Sequence, residues 1–169
     1  IRGKLKSDIS YTAFDEENHQ LEATFDITDT ALSAPVFGWS KKIGKQGEAR
    51  IAINFENKLI IDVPEFSVKT TGLDIIGKAD YAFDGSGLEK VKFTKVAIGR
   101  TKMKGALIPK PSGGWEAGFH GPAFDLSPIW KDIMVDDTAE KADHPFLDGL
   151  TLAAEFKKIW LDDVKSLYD

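Results

Sequence analysis

The sequence predicts a mainly β fold: a strongly curved antiparallel sheet with one short amphipathic helix. Three observations predict it: an apolar beat of two that returns in segment after segment, turn signals between those segments, and one stretch only with helical spacing. Leu21, Ala23, Phe25 and Ile27 alternate with Gln20, Glu22, Thr24 and Asp26, and Ile51, Ile53 and Phe55 alternate with Arg50, Ala52 and Asn54. The beat continues through Leu59, Ile61 and Val63 and through Leu73, Ile75, Gly77, Ala79, Tyr81 and Phe83. It returns in Trp115, Ala117 and Phe119, and in Leu150, Leu152, Ala154 and Phe156. Alternation of this kind gives a sheet one apolar face, which must be covered by helices, a second sheet, itself or a ligand. The chain offers few helices, so what covers that face is the functional question.

Element by element, residues 3–14 and 18–29 read as a first strand pair joined across Asp15, Glu16, Glu17 and Asn18. Residues 30–45, with Pro35, Gly38, Trp39 and Gly44, read as a loop or edge excursion. The meander resumes from Glu48 to Glu56, turns at Asn57-Lys58 and runs from Leu59 to Val63. Pro64 is expected to break the ladder before Phe66 and Val68, and Thr71-Gly72 makes the next reversal. Asp84-Gly85-Ser86-Gly87 is a hairpin signal. Strands are expected at 88–98, 101–108, 113–120 and 147–161. The exception to the beat is Asp125-Leu126-Ser127-Pro128, a capping hydroxyl before a proline. Ile129, Trp130, Ile133 and Met134 then follow at helical spacing, predicting about two turns of helix. The polar run from Asp136 to Asp143 reads as a loop.

At 169 residues and 42% hydrophobic content the chain fits one domain, residues 1–169, with enough apolar residues for a core. A net charge of −5 with scattered Lys and Arg argues against nucleic acid as a partner. The absence of cysteine excludes disulfides and thiolate metal sites. A weak internal repeat of strand pairs spans about 59–83 and 88–108, with Gly77 and Gly105 at matching places, and 147–169 reads as the opening of a third copy. The chain starts at Ile1, inside a strand pattern, and the third copy lacks a return strand, so the expectation is a segment of a longer protein.

Residues 41–131 carry a family resemblance. Gly72-Leu73-Asp74-Ile75-Ile76-Gly77, then Leu88 to Phe93 leading to Val96-Ala97-Ile98-Gly99, then Gly113-Gly114-Trp115 and Gly121-Pro122-Ala123-Phe124-Asp125-Leu126-Ser127-Pro128 resemble the AsmA-like family. More narrowly they are similar to the YhdP-type envelope proteins, and the closing Phe156 to Asp162 suits the same pattern. The resemblance implies a long periplasmic protein anchored in the inner membrane of a Gram-negative bacterium. In that family a curved β-groove carries phospholipid acyl chains along its apolar concave side toward the outer membrane. It implies neighbouring β-groove segments of the same chain as partners, and membrane contact through other parts of the full-length protein. Asp125, Ser127 and Pro128 would be structural residues of the motif turn.

On this reading the groove-lining candidates are Leu21, Ala23, Phe25, Ile27, Ile51, Ile53, Phe55, Leu59, Ile61, Leu73, Ile75, Tyr81, Trp115, Phe119, Leu150, Leu152 and Phe156. Each acyl CH₂ buried contributes about 0.8 kcal/mol, so one fatty-acid-length chain gains roughly 10 kcal/mol without a dedicated headgroup pocket. Ordinary core packing is the competing reading of every one of these side chains. The alternative function is a periplasmic structural scaffold of outer-membrane biogenesis, closed over its own core and without lipid cargo.

Enzymatic readings find little support. His19, His120 and His144 lack ligand-like spacing, the acidic loop lacks a calcium-loop pattern, and no Gly-x-Ser-x-Gly elbow occurs. Neither a cofactor nor a metal is expected. Trp39, Trp115, Trp130 and Trp160 are core or groove-edge candidates. Lys90, Lys92, Lys95, Arg100, Lys102 and Lys104 crowd two adjacent strands on the wet side, as edge protection or an attractor of anions.

Overall fold

The structure, a computed structural model, describes residues 2–134, 149–162 and 165–168. Its strands are β1 (Arg2–Gly3), β2 (Lys6–Ala13), β3 (Asn18–Asp26), β4 (Thr30–Ala34), β5 (Trp39–Lys41), β6 (Gly47–Glu56) and β7 (Leu59–Thr70). They continue with β8 (Leu73–Tyr81), β9 (Leu88–Ile98), β10 (Thr101–Pro109), β11 (Trp115–Asp125), β12 (Leu150–Phe156), β13 (Lys158–Trp160) and β14 (Ser166–Tyr168). The helix α1 (Ser127–Met134) follows β11, and a 3-10 turn covers Pro35–Phe37.

Eleven strands form one large, mostly antiparallel sheet in the order β14-β13-β11-β10-β9-β8-β7-β6-β3-β2, with β12 also on β11. It is not closed into a barrel. The order is nearly sequential because each hairpin carries its own turn chemistry. Asn57 and Lys58 both take positive φ (50° and 67°), the two-residue geometry that matches strand twist. Beyond α1 the chain comes back parallel: Trp115 to Gly121 pair with Leu150 to Phe156, and Phe124 and Asp125 pair with Ile159 and Trp160. Two pairings therefore depart from the antiparallel expectation. The strand expected at 147–161 is also divided into β12 and β13, and β14 pairs antiparallel with β13.

Further differences from expectation have local causes. β3 stops at Asp26 rather than continuing to 29, because the Asp26 carboxylate accepts the Thr28 N–H and turns the chain. Residues 30–45 are not a loop, since β4 and β5 make a second, three-stranded sheet with β1. Pro64 does not end its strand. β7 runs through it, and a register shift between Val63 and Phe66 absorbs the residue that cannot donate to the ladder. β11 reaches Asp125, beyond the expected end at 120.

The register shifts explain the sequence of the middle strands. In β9 the apolar residues Leu88, Val91, Phe93, Val96 and Ile98 twice step by three instead of two. Shifts at Asp80/Tyr81 and Ile76/Gly77 fall at those places, so every one of them returns to the same side.

The tightest packing lies at one end of the sheet. Leu73, Val96 and Ile98 form a buried cluster onto which Phe37 of the 3-10 turn and Trp39 of the small sheet pack, and Gly38 lies against Pro128 at the start of α1. The Trp39 indole N–H donates to the Thr71 carbonyl at 3.2 Å. Lys41 is buried at 3% exposure, and its ammonium donates to the carbonyls of Ile27 (2.6 Å), Thr28 (3.0 Å) and Thr30 (2.7 Å). This cap consists of the small sheet, the 3-10 turn and α1. Among the described residues only eight hydrophobic side chains are buried, namely Ala23, Ile27, Val63, Leu73, Ala79, Val96, Ile98 and Ala117. Four of the eight lie within or beside the capped end, so the rest of the sheet is thinly covered.

Candidate functional site

Paired residues in a ladder share a face, so register propagates the apolar beat from strand to strand. One row crosses nine strands: Ile9, Ala23, Ile51, Phe66, Gly77, Phe93, Gly105, Phe119 and Ala154. Toward the capped end, the next row holds Phe25, Ala49, Val68, Ile75, Val96 and Met103. On the other side lie Val63, Ala79, Val91, Leu107, Ala117 and Leu152, with Tyr11, Leu21 and Ile53 on the first strands. All these rows occupy one face.

The middle row alternates phenyl rings with glycines. Phe66 and Phe93 meet edge to face with centroids 5.8 Å apart, and Phe93 and Phe119 follow at 6.1 Å. A Cβ at Gly77 would collide with the Phe66 ring, and one at Gly105 with the Phe119 ring. The Phe66 and Phe119 rings thus lie over the glycines of their neighbouring strands. The matching glycines noticed in the sequence repeat are the gaps into which these rings lie.

The sequence candidates fall as follows. Leu21, Ala23, Phe25, Ile51, Ile53, Leu73, Ile75, Phe119 and Leu152 occupy this face within the ladder, and Phe55 continues it opposite His19. Trp115 pairs with Leu150, and Phe156 stacks on Phe124 with centroids 5.1 Å apart. Tyr81 pairs with Leu88 at the uncapped end. Ile61 lies beside the register shift between Asn54 and Phe55, and Leu59 sits at the turn, 41% exposed. Ile27 lies past β3 and is buried against the cap, where its side chain closes off Gly47. Phe66, Val91, Phe93, Met103 and Leu107 share the face without appearing among the sequence candidates. The three-residue steps at the bulges hide the partners of β7 and β9 from a strict period-two count.

Ile9 (59% exposed), Tyr11 (62%) and Leu152 (58%) lie on this face near its two edges, where no described element covers them. Tyr11 stacks on His19 at 5.6 Å.

The motif turn is a hydrogen-bonded corner. Asp125 accepts the Ser127 N–H (3.1 Å) and Ser127 O–H (2.6 Å) on Oδ1, and the Arg100 Nε–H on Oδ2 at 2.8 Å. Its own N–H donates to Thr101 Oγ1 at 3.0 Å, and Thr101 is almost fully buried. Desolvation pushes the Asp125 carboxyl up, but the bonds from Ser127 and Arg100 outweigh it and leave the group below the usual carboxylate range. The Arg100 guanidinium also lies 4.8 Å from the centroid of the Trp160 ring, over which the Lys158 ammonium is placed as well. Pro128 opens α1 and touches Gly38. These residues fix where the helix meets the sheet.

On the opposite, wet face Lys95 pairs with Asp74 and Lys78 with Asp80. His120 stands between Lys104 and Glu155 in the ladder. His144 and the acidic run 136–143 lie outside the described residues. Among the described residues no group of three or more His, Asp or Glu is arranged to hold a metal, and no helix is long and apolar enough to cross a membrane.

The fold and this face define a class: a large, open, antiparallel-rich β-sheet with a continuous apolar face capped at one end. Comparison with protein-family models, with curated proteins and with solved structures finds no match for this chain.

Proposed function

We propose that this chain is a lipid-carrying segment of the AsmA-like kind, in which the sheet curls about its apolar face and phospholipid acyl chains cover what protein does not. The observation that carries the reading is the continuity of that face across nine strands with little described protein over it. Exposed apolar area of this extent marks a binding surface in a folded protein. The bulges in β7, β9 and β11 support the curl, because a bulge bends its strand and increases local twist. Glycines at Gly77 and Gly105 leave room for the Phe66 and Phe119 rings beside them, where a Cβ would collide.

On this reading the segment belongs to the periplasmic part of an inner-membrane-anchored protein of a Gram-negative envelope, moves phospholipid toward the outer membrane, and has no catalytic residue. The eight residues of the edge strand β2 are all exposed, as suits pairing with a neighbouring groove segment. The scaffold reading is favoured only at the capped end, where Phe37 and Trp39 supply the cover.

The test is site-specific photo-crosslinking in cells, within the full-length chain, at Phe25, Ile53 and Leu152, with Glu22, Asn54 and Thr151 on the opposite face as controls. Lipid adducts confined to the first three positions are the expected result. Protein adducts alone, or equal yields on both faces, would leave the scaffold.

A further inference from the structure

The wet face holds an open cavity of about 920 Å³ lined by Lys90, Lys92, Lys104, His120 and Glu155. Its floor is a row of small residues: Lys92 pairs with Ala106, Ala106 with Gly118, and Gly118 with Ala153. We infer that this cavity binds a phosphate group, supplied by a soluble ester or by a lipid headgroup.

Two independent features point to a ligand. The first is Gly118. A strand glycine is unfavourable and usually answers to a steric demand. Gly105 and Gly121 show such a demand, since a Cβ at either would strike the backbone of a neighbouring strand. A Cβ at Gly118 would meet nothing within 4 Å, and its φ is not positive. No neighbouring atom demands a glycine there, and the missing side chain keeps the floor open.

The second feature is charge. Lys78, Lys95 and Arg50 each have a carboxylate partner on this protein, whereas Lys90, Lys92 and Lys104 have none among the described residues. Lys92 moreover stands directly across the ladder from Lys78, a like-charge pair that costs stability. With Glu155 counted, the lining keeps two positive charges in excess, in a chain whose net charge is −5. Ammonium groups above a bare floor suit a compact anion with several oxygens. Because the cavity lies on the face opposite the apolar rows, the proposal does not rest on the lipid reading.

The test is titration of the ¹⁵N-labelled 169-residue chain with inorganic phosphate and with glycerol 3-phosphate, against sodium chloride at equal ionic strength. Saturable shifts at the Ala106, Gly118 and Ala153 amides are expected with phosphate and absent with chloride. Gly118→Val fills the floor without strain, and Lys92→Gln/Lys104→Gln removes charge at two exposed sites. Each is expected to keep the circular dichroism spectrum and to raise the dissociation constant about tenfold or more, as loss of a charge-assisted contact does.

Flotation with phosphatidylglycerol and phosphatidylcholine vesicles separates the two sources. Binding of the soluble esters without flotation assigns a soluble ligand. Flotation on phosphatidylglycerol alone, lost in both variants, assigns a headgroup. The absence of saturable binding to either source, or variants that respond like the wild type, overturns the proposal.

Discussion

Replacing Lys41 by Met keeps an unbranched apolar stem, with sulfur in place of Cδ, and removes the ammonium. That group, 3% exposed, donates to the carbonyls of Ile27, Thr28 and Thr30. It joins β5 to the turn that leads out of β3. No carboxylate ion-pairs with it among the described residues. The nearby Asp26 carboxyl is held below its usual range first by its hydrogen bonds to Thr28, with Lys41 a minor cause. Hydrogen bonds from a charged donor contribute about 1.5–3 kcal/mol each. Against three of them stands a cost of several kcal/mol for burying an ammonium, which the Met variant no longer bears.

Two acceptors also keep a second partner, since the Ile27 carbonyl accepts from the Thr30 N–H and the Thr28 carbonyl from the Gly44 N–H. The net loss for Lys41→Met is therefore about 3 kcal/mol by this difference of charge-assisted bonds and desolvation. In a chain of this size that lowers Tm by about 6–12 °C. Thermal denaturation measures the total, and amide exchange locates it: the Leu32 and Ser40 amides should lose protection before those of β8. A loss under about 0.5 kcal/mol, within the range of an ordinary surface substitution, would refute the claim that the ammonium holds the cap.

Other substitutions probe the face and the corner. Gly105→Ala places a methyl against the Gly118 carbonyl and the Phe119 ring, and is expected to cost about 1–3 kcal/mol of overpacking by urea denaturation. Gly118→Ala, one strand away, should instead gain up to about 1 kcal/mol. Phe93→Ala removes the middle ring of the row and is expected to weaken binding of a fluorescent fatty acid, while Lys95→Ala on the other face leaves it unchanged. Asp125 contributes stability that is fully present above the unfolded carboxylate pKa of about 3.9 and is lost as pH falls through its lower folded value. Asp125→Asn should accordingly be less stable than wild type at pH 7, with the difference shrinking below pH 4 in pH-dependent melts.

The alternation of Leu21, Ala23, Phe25 and of Leu73, Ile75, Gly77 was sufficient to assign those residues to one side of their strands, because side chains in a strand alternate strictly. The hairpin at Asp84 to Gly87 and the helix start at Ser127-Pro128 were equally legible, since their signals are local. Phe66 and Phe93 were not, because a bulge inserts one residue and reverses parity, and its position depends on the partner strand. β4 and β5 were missed for a related reason. Strands of three to five residues carry too few alternations to register, and they are held by pairing with β1 and by the buried Lys41.

By itself the sequence determined the class of the fold, the strand count in the central meander, the amphipathic helix α1 with its proline start, and which side chains of each strand travel together. Those are properties of a residue and its near neighbours. Only the tertiary structure decided that β12 and β13 run parallel to β11, that the Phe66 and Phe119 rings lie over glycines of adjacent strands, and that the small sheet and α1 cap one end. It alone also gathered Lys90, Lys92 and Lys104 around the bare floor at Gly118. Each of these is a contact between residues distant in the chain, and periodicity gives a side chain its face but not the neighbour it meets across the ladder.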